Sequence, residues 1–177
     1  MKAFFFDRDD TLNLDTGYIN NPEDMKLYRN TEDILRYIKF LRYKIFIITN
    51  QSGMGRGLIK PLEYREVNCR FLSLAGGYSL VNDILYCPHS PHHDCICRKP
   101  KTLLLQIVKE QYCIDFTKSY FVGDKITDII CGKSLGLKTI HLIGTKDKVK
   151  SYTEKDQRYQ PDIVIASISE MKDVIKE

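Results

Sequence analysis

The sequence predicts an α/β fold with a Rossmann-like, mainly parallel sheet flanked by helices. Several short apolar runs are apolar at every position, which is typical of strands covered on both faces of a parallel sheet. Helical patterns alternate with these runs, as they do in βαβ units. The chain has 177 residues, of which 43% are hydrophobic, so it can bury one core of ordinary size. We therefore expect a single domain over residues 1–177.

The predicted strands are the short apolar runs themselves. Most of them end at polar residues or glycine, which mark the point where a strand gives way to a loop. The six runs are residues 3–6, 44–49, 83–87, 119–123, 138–143 and 162–166.

Helices are predicted in the intervals between strands. The first begins at Thr31, which we expect to be the N-cap because Glu32 and Asp33 place acids in the first turn. Pro61 suits the first turn of the second helix, since proline lacks the amide that would be unpaired there. Further helices are predicted at residues 101–112, at 127–135 and from about residue 169. The predicted element order is βαβαβαβαββα.

Charge and hydropathy exclude some classes of protein. The net charge of +4 is mild, and the basic residues are spread too evenly to predict a nucleic-acid groove. No stretch approaches the roughly 20 apolar residues of a membrane span, and the first residues lack the form of a signal peptide. We expect a cytoplasmic protein, monomeric by default, with no nucleic-acid or membrane partner. The polar, lysine-rich segment 144–160 is predicted to be a solvated surface loop.

Four polar segments follow four of the predicted strands. In an open parallel sheet such segments lie at the carboxyl edge, where ligands bind. Each segment alone is a weak signal, because DxD and TNQSG are also common in turns and helix caps, but all four in order predict one site. Repelling carboxylates at that site indicate a divalent cation, and oxygen ligands favour Mg²⁺. The segments are DRDDT at 7–11, TNQSG at 49–53, CRKP at 97–100 and GDKITD at 123–128.

The same segments resemble the four motifs of haloacid dehalogenase superfamily phosphatases, and the resemblance covers roughly residues 1–145. It implies that Asp7 is the nucleophile and that Asp9 is the general acid and base. It also implies that Thr49 and Lys99 stabilise the transferring phosphoryl group. The matching residues are Asp7, Asp9 and Thr11, then Thr49, then Lys99, and last Gly123, Asp124 and Asp128.

By the same resemblance, Mg²⁺ is held by the carboxylates of Asp7 and Asp124 and by the backbone carbonyl of Asp9, with Asp128 just behind the ligands. Asp10 departs from the pattern, because similar phosphatases commonly have glycine there; aspartate tolerates unusual backbone angles, so the turn is expected to survive. No insertion reaches domain size, so the expected fold is a capless haloacid dehalogenase fold with a zinc-bound loop.

The stretch CPHSPHHDCIC at 87–97 predicts a structural zinc site. Three thiolates and an imidazole make a closed tetrahedral set, for which the paired spacing favours His89 over His92 and His93. The alternative is a set of unrelated reduced side chains. The expected ligands are Cys87, His89, Cys95 and Cys97, next to Lys99 in sequence. The other cysteines, Cys69, Cys113 and Cys131, are predicted to be small core residues in a reducing compartment.

This zinc loop narrows the resemblance to the D,D-heptose 1,7-bisphosphate phosphatases and the histidinol-phosphate phosphatases. DTGYINNPED at 15–24 and TNQSGMGRG at 49–57 resemble the heptose enzymes. The short zinc spacer and CRKPK also suit histidinol phosphatases, and residues 101–103 are KTL where many heptose enzymes have PGM. The resemblance favours a phosphorylated sugar, hydrolysed at the 7-phosphate of D-glycero-D-manno-heptose 1,7-bisphosphate, with histidinol phosphate as the alternative.

Substrate contacts are expected from loops, because there is no cap. A second phosphate needs cations beyond the catalytic ones, and arginine matches its oxygens best. Two other functions stay open, a polynucleotide phosphatase and a non-catalytic zinc interaction module. Mg²⁺-dependent phosphate release from a small ester excludes the module, and failure of DNA to compete excludes the polynucleotide enzyme. The expected substrate-binding residues are Asp15, Gly17, Tyr18, Asn50, Gln51, Ser52, Arg56, Arg98 and Lys125.

Overall fold

Six parallel strands form one sheet in the computed structural model, which describes residues 1–143 and 160–175. The sheet order is β3-β2-β1-β4-β5-β6, and every strand pair is parallel. The predicted α/β fold class is thereby confirmed. The segment predicted to be a surface loop lies, except for its last residue, outside the described residues. The strands are β1 Ala3–Phe6, β2 Lys44–Asn50, β3 Asp83–Cys87, β4 Tyr120–Gly123, β5 Lys138–Leu142 and β6 Ile163–Ile165.

Six α-helices accompany the described strands, and most begin within two residues of their predicted start. The four-residue helix α2 was not predicted, because a turn of this length has no hydrophobic period. Within the described residues, short 3₁₀ turns lie at Pro22–Asp24, Gly77–Ser79, Phe116–Lys118 and Ile168–Glu170. The helices are α1 Thr31–Phe40, α2 Ser52–Gly55, α3 Pro61–Leu74, α4 Leu103–Tyr112, α5 Ile126–Lys133 and α6 Met171–Val174.

The start of α1 differs from the prediction. Asn30 is the N-cap, with a left-handed φ of 68°, and Thr31 is the first helical residue. The Thr31 hydroxyl donates a hydrogen bond to the carbonyl of Leu12 at 3.1 Å. Its side chain therefore ties α1 to the loop after β1 instead of capping the helix.

Alternate residues of the strands enter two separate cores. Phe4 and Phe6 of β1 belong to the core on the side of α1, α3 and α6, whereas Ala3 and Phe5 belong to the core on the side of α4. Since both faces are covered, both sets of side chains are apolar. This explains why β1 shows no alternation in the sequence.

The topology places four chain segments at one edge of the sheet. β1 lies between β2 and β4, and the backbone amide of Asp7 continues the β1–β4 pairing by donating to Val122 at 2.9 Å. The chain passes to opposite sides of the sheet around β1, which creates the crevice where ligands bind in such folds. Asp7 thus stands at the crevice, with residues 49–53 beside it.

The three cysteines outside the predicted zinc site differ in whether they are buried or exposed. Cys131 is buried, as predicted, but Cys69 and Cys113 are exposed, so their assignment to the core is wrong. Cys69 lies on the outer face of α3, and Cys113 follows the last turn of α4. Helix periodicity alone did not separate the outer face from the inner one at these positions. No helix within the described ranges combines the length and apolar character needed to cross a membrane.

Candidate active site

A buried lysine connects two of the predicted motifs. Lys99 is 3% exposed, and its Nζ lies 2.8 Å from Oδ1 of Asp7 and 2.7 Å from Oδ1 of Asp128. It also donates to the carbonyl of Ile48 at 2.7 Å. Burial disfavours its charge, but the carboxylates of Asp128 and Asp7 outweigh burial and hold the pKa of Lys99 above its ordinary value. Lys99 is therefore a fixed positive charge at the end of β1.

Three carboxylates crowd together around this charge. One oxygen from each of Asp7, Asp124 and Asp128 lies within 4.8 Å of the others. Burial and then the nearby Asp7 raise the pKa of Asp124 to about 7. Its oxygens contact the Thr11 hydroxyl and the Lys125 ammonium, each at 3.3 Å. The described cations do not neutralise Asp124 fully, so this group of oxygens carries an excess of negative charge that suits a divalent cation.

Asp128 has a different environment from Asp124. Its Oδ1 contacts Lys99, and its Oδ2 accepts from the backbone amide of Lys125 at 3.1 Å, which caps α5. A Cβ atom at Gly123 would stand 2.4 Å from Asp128 Oδ2, so only glycine admits this carboxylate so close to β4. Both Asp128 oxygens already contact protein donors, which suits a supporting position behind a cation.

Asp9 is held by three side chains at once. Arg8 contacts both of its oxygens, at 3.0 and 3.1 Å, while Gln51 donates to Oδ2 at 2.6 Å and Asn13 to Oδ1 at 3.1 Å. Burial raises the pKa of Asp9, but the Arg8 guanidinium outweighs burial and holds that pKa below its ordinary value. Arg8 is itself only 1% exposed, and it donates to Asn68 of α3 at 2.6 Å. Neither Arg8 nor Asn68 was predicted from the sequence to be a site residue.

Asn50 and Gln51, which were predicted to contact the substrate, form hydrogen bonds within the protein instead. The Asn50 amide donates to the carbonyl of Lys99 at 3.2 Å and accepts from its backbone amide at 3.0 Å. Gln51 donates to Asp9 and also to the Thr49 hydroxyl at 2.9 Å. Asn50 thus fixes the backbone of Lys99, and Gln51 links Thr49 to Asp9. Both residues line the cavity, but their amides orient catalytic candidates.

A cavity of about 370 Å³ opens over these groups. Of the predicted substrate contacts, Asp15, Gly17, Tyr18, Asn50, Gln51, Ser52, Arg98 and Lys125 all line it. Arg56 does not: it follows the last residue of α2 and is exposed. Ile19, Gly53 and Thr127 line the cavity but were not predicted, because their side chains carry little chemistry that a sequence motif would mark.

The four predicted zinc ligands also lie together. The distances are 3.6 Å from Cys87 Sγ to His89 Nδ1, 3.7 Å from Cys87 Sγ to Cys95 Sγ and 3.3 Å from His89 Nδ1 to Cys97 Sγ. These are near the edges of a tetrahedron around a Zn²⁺ ion with bonds of about 2.0 to 2.3 Å. His93 lies outside the group, with its Nδ1 2.7 Å from the Ser90 hydroxyl.

This cysteine loop is packed tightly on the loop after β2. The amide of Gly55 donates to the carbonyl of Pro88 at 2.8 Å, and a Cβ atom at Gly55 would stand 2.5 Å from the Ser90 amide nitrogen. The amide of Gln51 donates to the carbonyl of Cys87 at 2.8 Å. The cysteine cluster is therefore connected to the active-site loop on one side, and it leads directly to Lys99 on the other.

Comparisons with known proteins indicate the family to which this chain belongs. A family model described as HAD-hydrolase-like matches residues 96–171. A D-glycero-beta-D-manno-heptose-1,7-bisphosphate 7-phosphatase of Helicobacter pylori strain J99 is 36% identical over 85% of this chain and 87% of its own. The enzyme of that name from Pasteurella multocida is 36% identical over 99% of this chain and 97% of its own.

A solved structure adds support for the fold. The D,D-heptose 1,7-bisphosphate phosphatase of B. bronchiseptica, complexed with magnesium and phosphate, superposes with a TM-score of 0.74. The match covers 80% of each chain at 23% sequence identity, which supports the fold alone. The sequence relatives establish more, since both match more than two thirds of this chain. This chain therefore belongs to the family of HAD-like hydrolases that includes the D-glycero-D-manno-heptose-1,7-bisphosphate 7-phosphatases.

Proposed function

We propose that this protein is a phosphoric monoester hydrolase that removes the 7-phosphate of D-glycero-D-manno-heptose 1,7-bisphosphate. The observation that carries the proposal is the contact of Lys99 with Asp7 and Asp128 at the base of a cavity that Arg98 and Lys125 also line. A fixed cation beside a carboxylate suits phosphoryl transfer, and the further cations suit a second phosphate. The names of the sequence relatives supply the substrate.

Asp7 is the proposed nucleophile. Its Oδ1 lies 2.8 Å from Lys99 Nζ, and a carboxylate needs no base to attack phosphorus. Attack forms an aspartyl phosphate while the bond from phosphorus to the sugar oxygen breaks. Water then attacks the aspartyl phosphate, which releases inorganic phosphate and restores Asp7. Lys99 and the Thr49 hydroxyl donate hydrogen bonds to the phosphoryl oxygens as their charge changes.

Asp9 is the proposed proton carrier. It gives a proton to the leaving sugar oxygen in the first half of the reaction and takes one from the attacking water in the second. Its contacts with Arg8 and Gln51 favour the ionised form, which suits the second half directly. The acid role follows when the negatively charged substrate enters, because a nearby negative charge raises the pKa of a carboxyl group.

Mg²⁺ is the proposed cofactor of the acidic cluster. The donor set fits it, because all the ligand atoms are oxygens and the carboxylates repel one another in the absence of a cation. Asp7 and Asp124, with the carbonyl of Asp9, would hold the ion, and Asp128 would support Lys99 behind them. When bound, Mg²⁺ neutralises charge on the phosphoryl oxygens and the nucleophile.

This proposal predicts a pH-dependent effect of Mg²⁺ on stability. The pKa of Asp124 is about 7 in the folded metal-free protein, against an ordinary value of 3.8. Between pH 3.8 and about 7, Asp124 is protonated in the folded state but ionised in the unfolded state. The free energy of unfolding therefore falls as pH rises through this range. Since Mg²⁺ removes the repulsion that ionisation causes, excess Mg²⁺ should raise the melting temperature more at about pH 8 than at about pH 5. Thermal unfolding at both pH values measures the difference.

The control for this prediction is Asp124→Asn, which keeps the shape of the side chain but has no ionisation in this range. Its melting temperature should respond weakly to Mg²⁺ and equally at the two pH values. Equal Mg²⁺ shifts at both pH values in the unmodified protein would contradict a metal site built on Asp124.

Zn²⁺ is the proposed ligand of the cysteine cluster. Its donor atoms are already at tetrahedral spacing, and three thiols beside an imidazole favour zinc over Mg²⁺. Burial raises the pKa of the Cys87 thiol to about 12, so a cation is needed to hold that sulfur as a thiolate at neutral pH. The proposed role is structural: zinc fixes the loop that carries Arg98 and Lys99.

We expect one zinc ion per chain after purification without chelator. Cys97→Ser should remove it and lower kcat/KM about 10-fold or more, because the change loosens the backbone next to Lys99. Elemental analysis and steady-state kinetics measure the two effects. Cys69→Ser is the matched control, since Cys69 is an exposed thiol outside the cluster and should keep both zinc and activity. Full zinc content in Cys97→Ser would refute this ligand set.

The distal phosphate of the substrate is proposed to bind Arg98 and Lys125. Both line the cavity next to catalytic candidates, and Arg98 also donates to the carbonyl of His89 at 3.4 Å, which anchors it to the cysteine loop. An arginine held in this way offers its remaining donors to a phosphate. Arg56 is a weaker candidate, because it does not line the cavity. We further propose that residues 1–177 act as one capless domain, as a monomer in the cytoplasm.

A substrate panel tests the proposed function. Phosphate release with Mg²⁺ should be fastest on a heptose 1,7-bisphosphate when both anomers, histidinol phosphate and a 5′-phosphorylated oligonucleotide are compared. Faster release from histidinol phosphate would identify that ester as the substrate in place of the heptose bisphosphate. Release from the oligonucleotide would indicate a polynucleotide phosphatase instead of a sugar phosphatase. No release from any of these esters would leave the zinc interaction module as the better hypothesis.

A further inference from the structure

Asp10 adopts a backbone conformation that aspartate seldom uses. Its φ is 60°, in the left-handed region, and its amide donates to the carbonyl of Asn13 at 2.9 Å to close a tight turn. Glycine would adopt this conformation without strain. We therefore expect the side chain of Asp10 to make contacts that offset the strain.

The carboxylate of Asp10 contacts both sides of the neck of a loop. Its Oδ1 accepts from the backbone amide of Asp15 at 3.2 Å and from the hydroxyl of Tyr28 at 3.1 Å. Between these two partners the chain closes on itself, since the amide of Leu14 donates to the carbonyl of Lys26 at 2.9 Å. Residues 15–25 thus form a closed loop, and Oδ1 of Asp10 joins Asp15 at its beginning to Tyr28, which lies shortly after its end.

The tip of this loop forms one wall of the cavity. Asp15, Gly17, Tyr18 and Ile19 all line it. Asp15 accepts from the amide of Gly17 at 2.8 Å, and Gly17 and Tyr18 have φ values of 85° and 49°. The Tyr18 ring lies over Gly53, where a Cβ atom would come within 2.7 Å of it. Two successive hydrogen bonds therefore lead from Asp10 to the residues beside the substrate.

Helix α3 packs against the 3₁₀ turn at Pro22–Asp24, which lies after Gly17 and Tyr18 in the loop. Tyr18 is 45% exposed, and the loop contributes only Ile19 and Met25 to the buried core. The neck is therefore one of the restraints that place Gly17 and Tyr18. Asp10 itself is not among the residues that line the cavity, so it has no direct contact with a bound molecule there.

We propose that Asp10 is a positioning residue for substrate selectivity: it holds the loop of residues 15–25 against the cavity so that the loop contacts the sugar and its distal phosphate. The inference rests on the proposed function for the identity of the substrate. Contacts far from the reacting phosphorus increase the rate by orienting the substrate. A small ester that does not reach the loop gains nothing from them, so loss of Asp10 affects the two kinds of substrate differently.

The test compares Asp10→Gly with Asp10→Asn. Glycine relieves the backbone strain and removes the acceptor, so the variant is expected to fold, whereas asparagine keeps an Oδ1 acceptor without the charge. Asp10→Gly should lower kcat/KM for the heptose bisphosphate about 10-fold, mainly through KM, and change that for p-nitrophenyl phosphate less than about 2-fold. Asp10→Asn should stay within about 3-fold of the unmodified enzyme on both substrates. Equal losses on both substrates, or no loss on either, would overturn the proposal.

A second measurement does not depend on the substrate. Amide hydrogen exchange of residues 15–20 should speed up about 10-fold in Asp10→Gly, with no change in the strands, because the neck loses the two hydrogen bonds that Asp10 accepts. Tyr28→Phe removes only one of the two contacts and should give a smaller increase. Asp24→Gly is the control, since it removes an exposed acid of the same loop and leaves both contacts of Asp10 in place. Unchanged exchange in Asp10→Gly refutes the tether whatever the substrate proves to be, whereas faster exchange without activity on the bisphosphate refutes the proposed function instead.

Discussion

Asp7→Asn should reduce turnover by about 10³-fold or more while leaving the protein folded. Asparagine has nearly the shape of aspartate but is a poor nucleophile, so it cannot form the aspartyl phosphate at a useful rate. The change also removes one of the two carboxylates that contact Lys99, but Asp128 still pairs with that lysine at 2.7 Å. Rapid-quench and steady-state assays of phosphate release measure the effect.

Two controls separate loss of the nucleophile from loss of structure. Circular dichroism and thermal unfolding should show a folded Asp7→Asn protein. Asp24→Asn, an exposed acid on the loop after β1, should have the activity of the unmodified enzyme. If Asp7→Asn keeps a tenth or so of its activity after hydrolysis of the new amide has been excluded by mass spectrometry, Asp7 is not the nucleophile.

Lys99→Met should abolish activity and also destabilise the metal-free protein. Methionine is unbranched and ends at the position of the lysine Cε, one atom short of the charged nitrogen, so Asp7 and Asp128 remain buried at the same place with no cation between them. Removing one partner of a buried ion pair costs about 3 to 5 kcal/mol, and losing a donor to the phosphoryl group costs about 10²- to 10³-fold in kcat. Urea unfolding and the same phosphate assay measure the two losses.

The pH dependence of this variant follows from the carboxylates. Burial already raises the pKa of Asp128 in the unmodified protein, and losing Lys99 raises it further. A carboxyl group whose pKa is higher in the folded state destabilises the fold as pH rises through that pKa. The loss of stability in Lys99→Met should therefore be larger at about pH 8 than at about pH 5. Lys118→Met, which removes an exposed lysine paired with Asp115, should leave the free energy of unfolding nearly unchanged at either pH. A Lys99→Met protein as stable as this control would contradict the role of the buried charge.

The sheet could be predicted from the sequence, and so could the edge at which the four motif segments meet, because both depend on local patterns. A run of residues such as Phe4, Phe5 and Phe6 has few stable positions other than the interior of a parallel sheet. Once the strands are parallel, the segments after them must share an edge. The positions of Asp7 and Asp124 therefore follow from strand order without any knowledge of distant contacts, whereas that of Lys99 also depends on how the cysteine loop folds.

The partners of the polar side chains could not be predicted in this way. Asn50 and Gln51 follow a strand, and an amide there can bond equally well to a substrate or to the protein. The distance from Asn50 to Lys99 is decided by how the cysteine loop folds back, which no local pattern encodes. Sequence position alone therefore suggested ligand contacts where the structure has supports for Lys99 and Asp9.

The burial of the charged side chain of Arg8 could not be predicted from a local pattern either. Between two acids, an arginine would ordinarily be expected to face solvent, yet it is among the largest fully buried side chains. Its burial requires Asn68, a hydrogen-bond acceptor 60 residues away, and the ring of Tyr64 at 5.6 Å. Only the packing of α3 over the loop after β1 brings these groups together.

The most direct test of the central proposal is to follow the heptose 1,7-bisphosphate by ³¹P nuclear magnetic resonance during turnover with Mg²⁺. The account predicts that the signal of the 7-phosphate disappears as inorganic phosphate appears, while the 1-phosphate signal persists in a heptose 1-phosphate product. Asp7→Asn should leave both signals unchanged over the same period. Loss of the 1-phosphate signal first would contradict the account. So would persistence of both signals with zinc-loaded enzyme that still hydrolyses p-nitrophenyl phosphate.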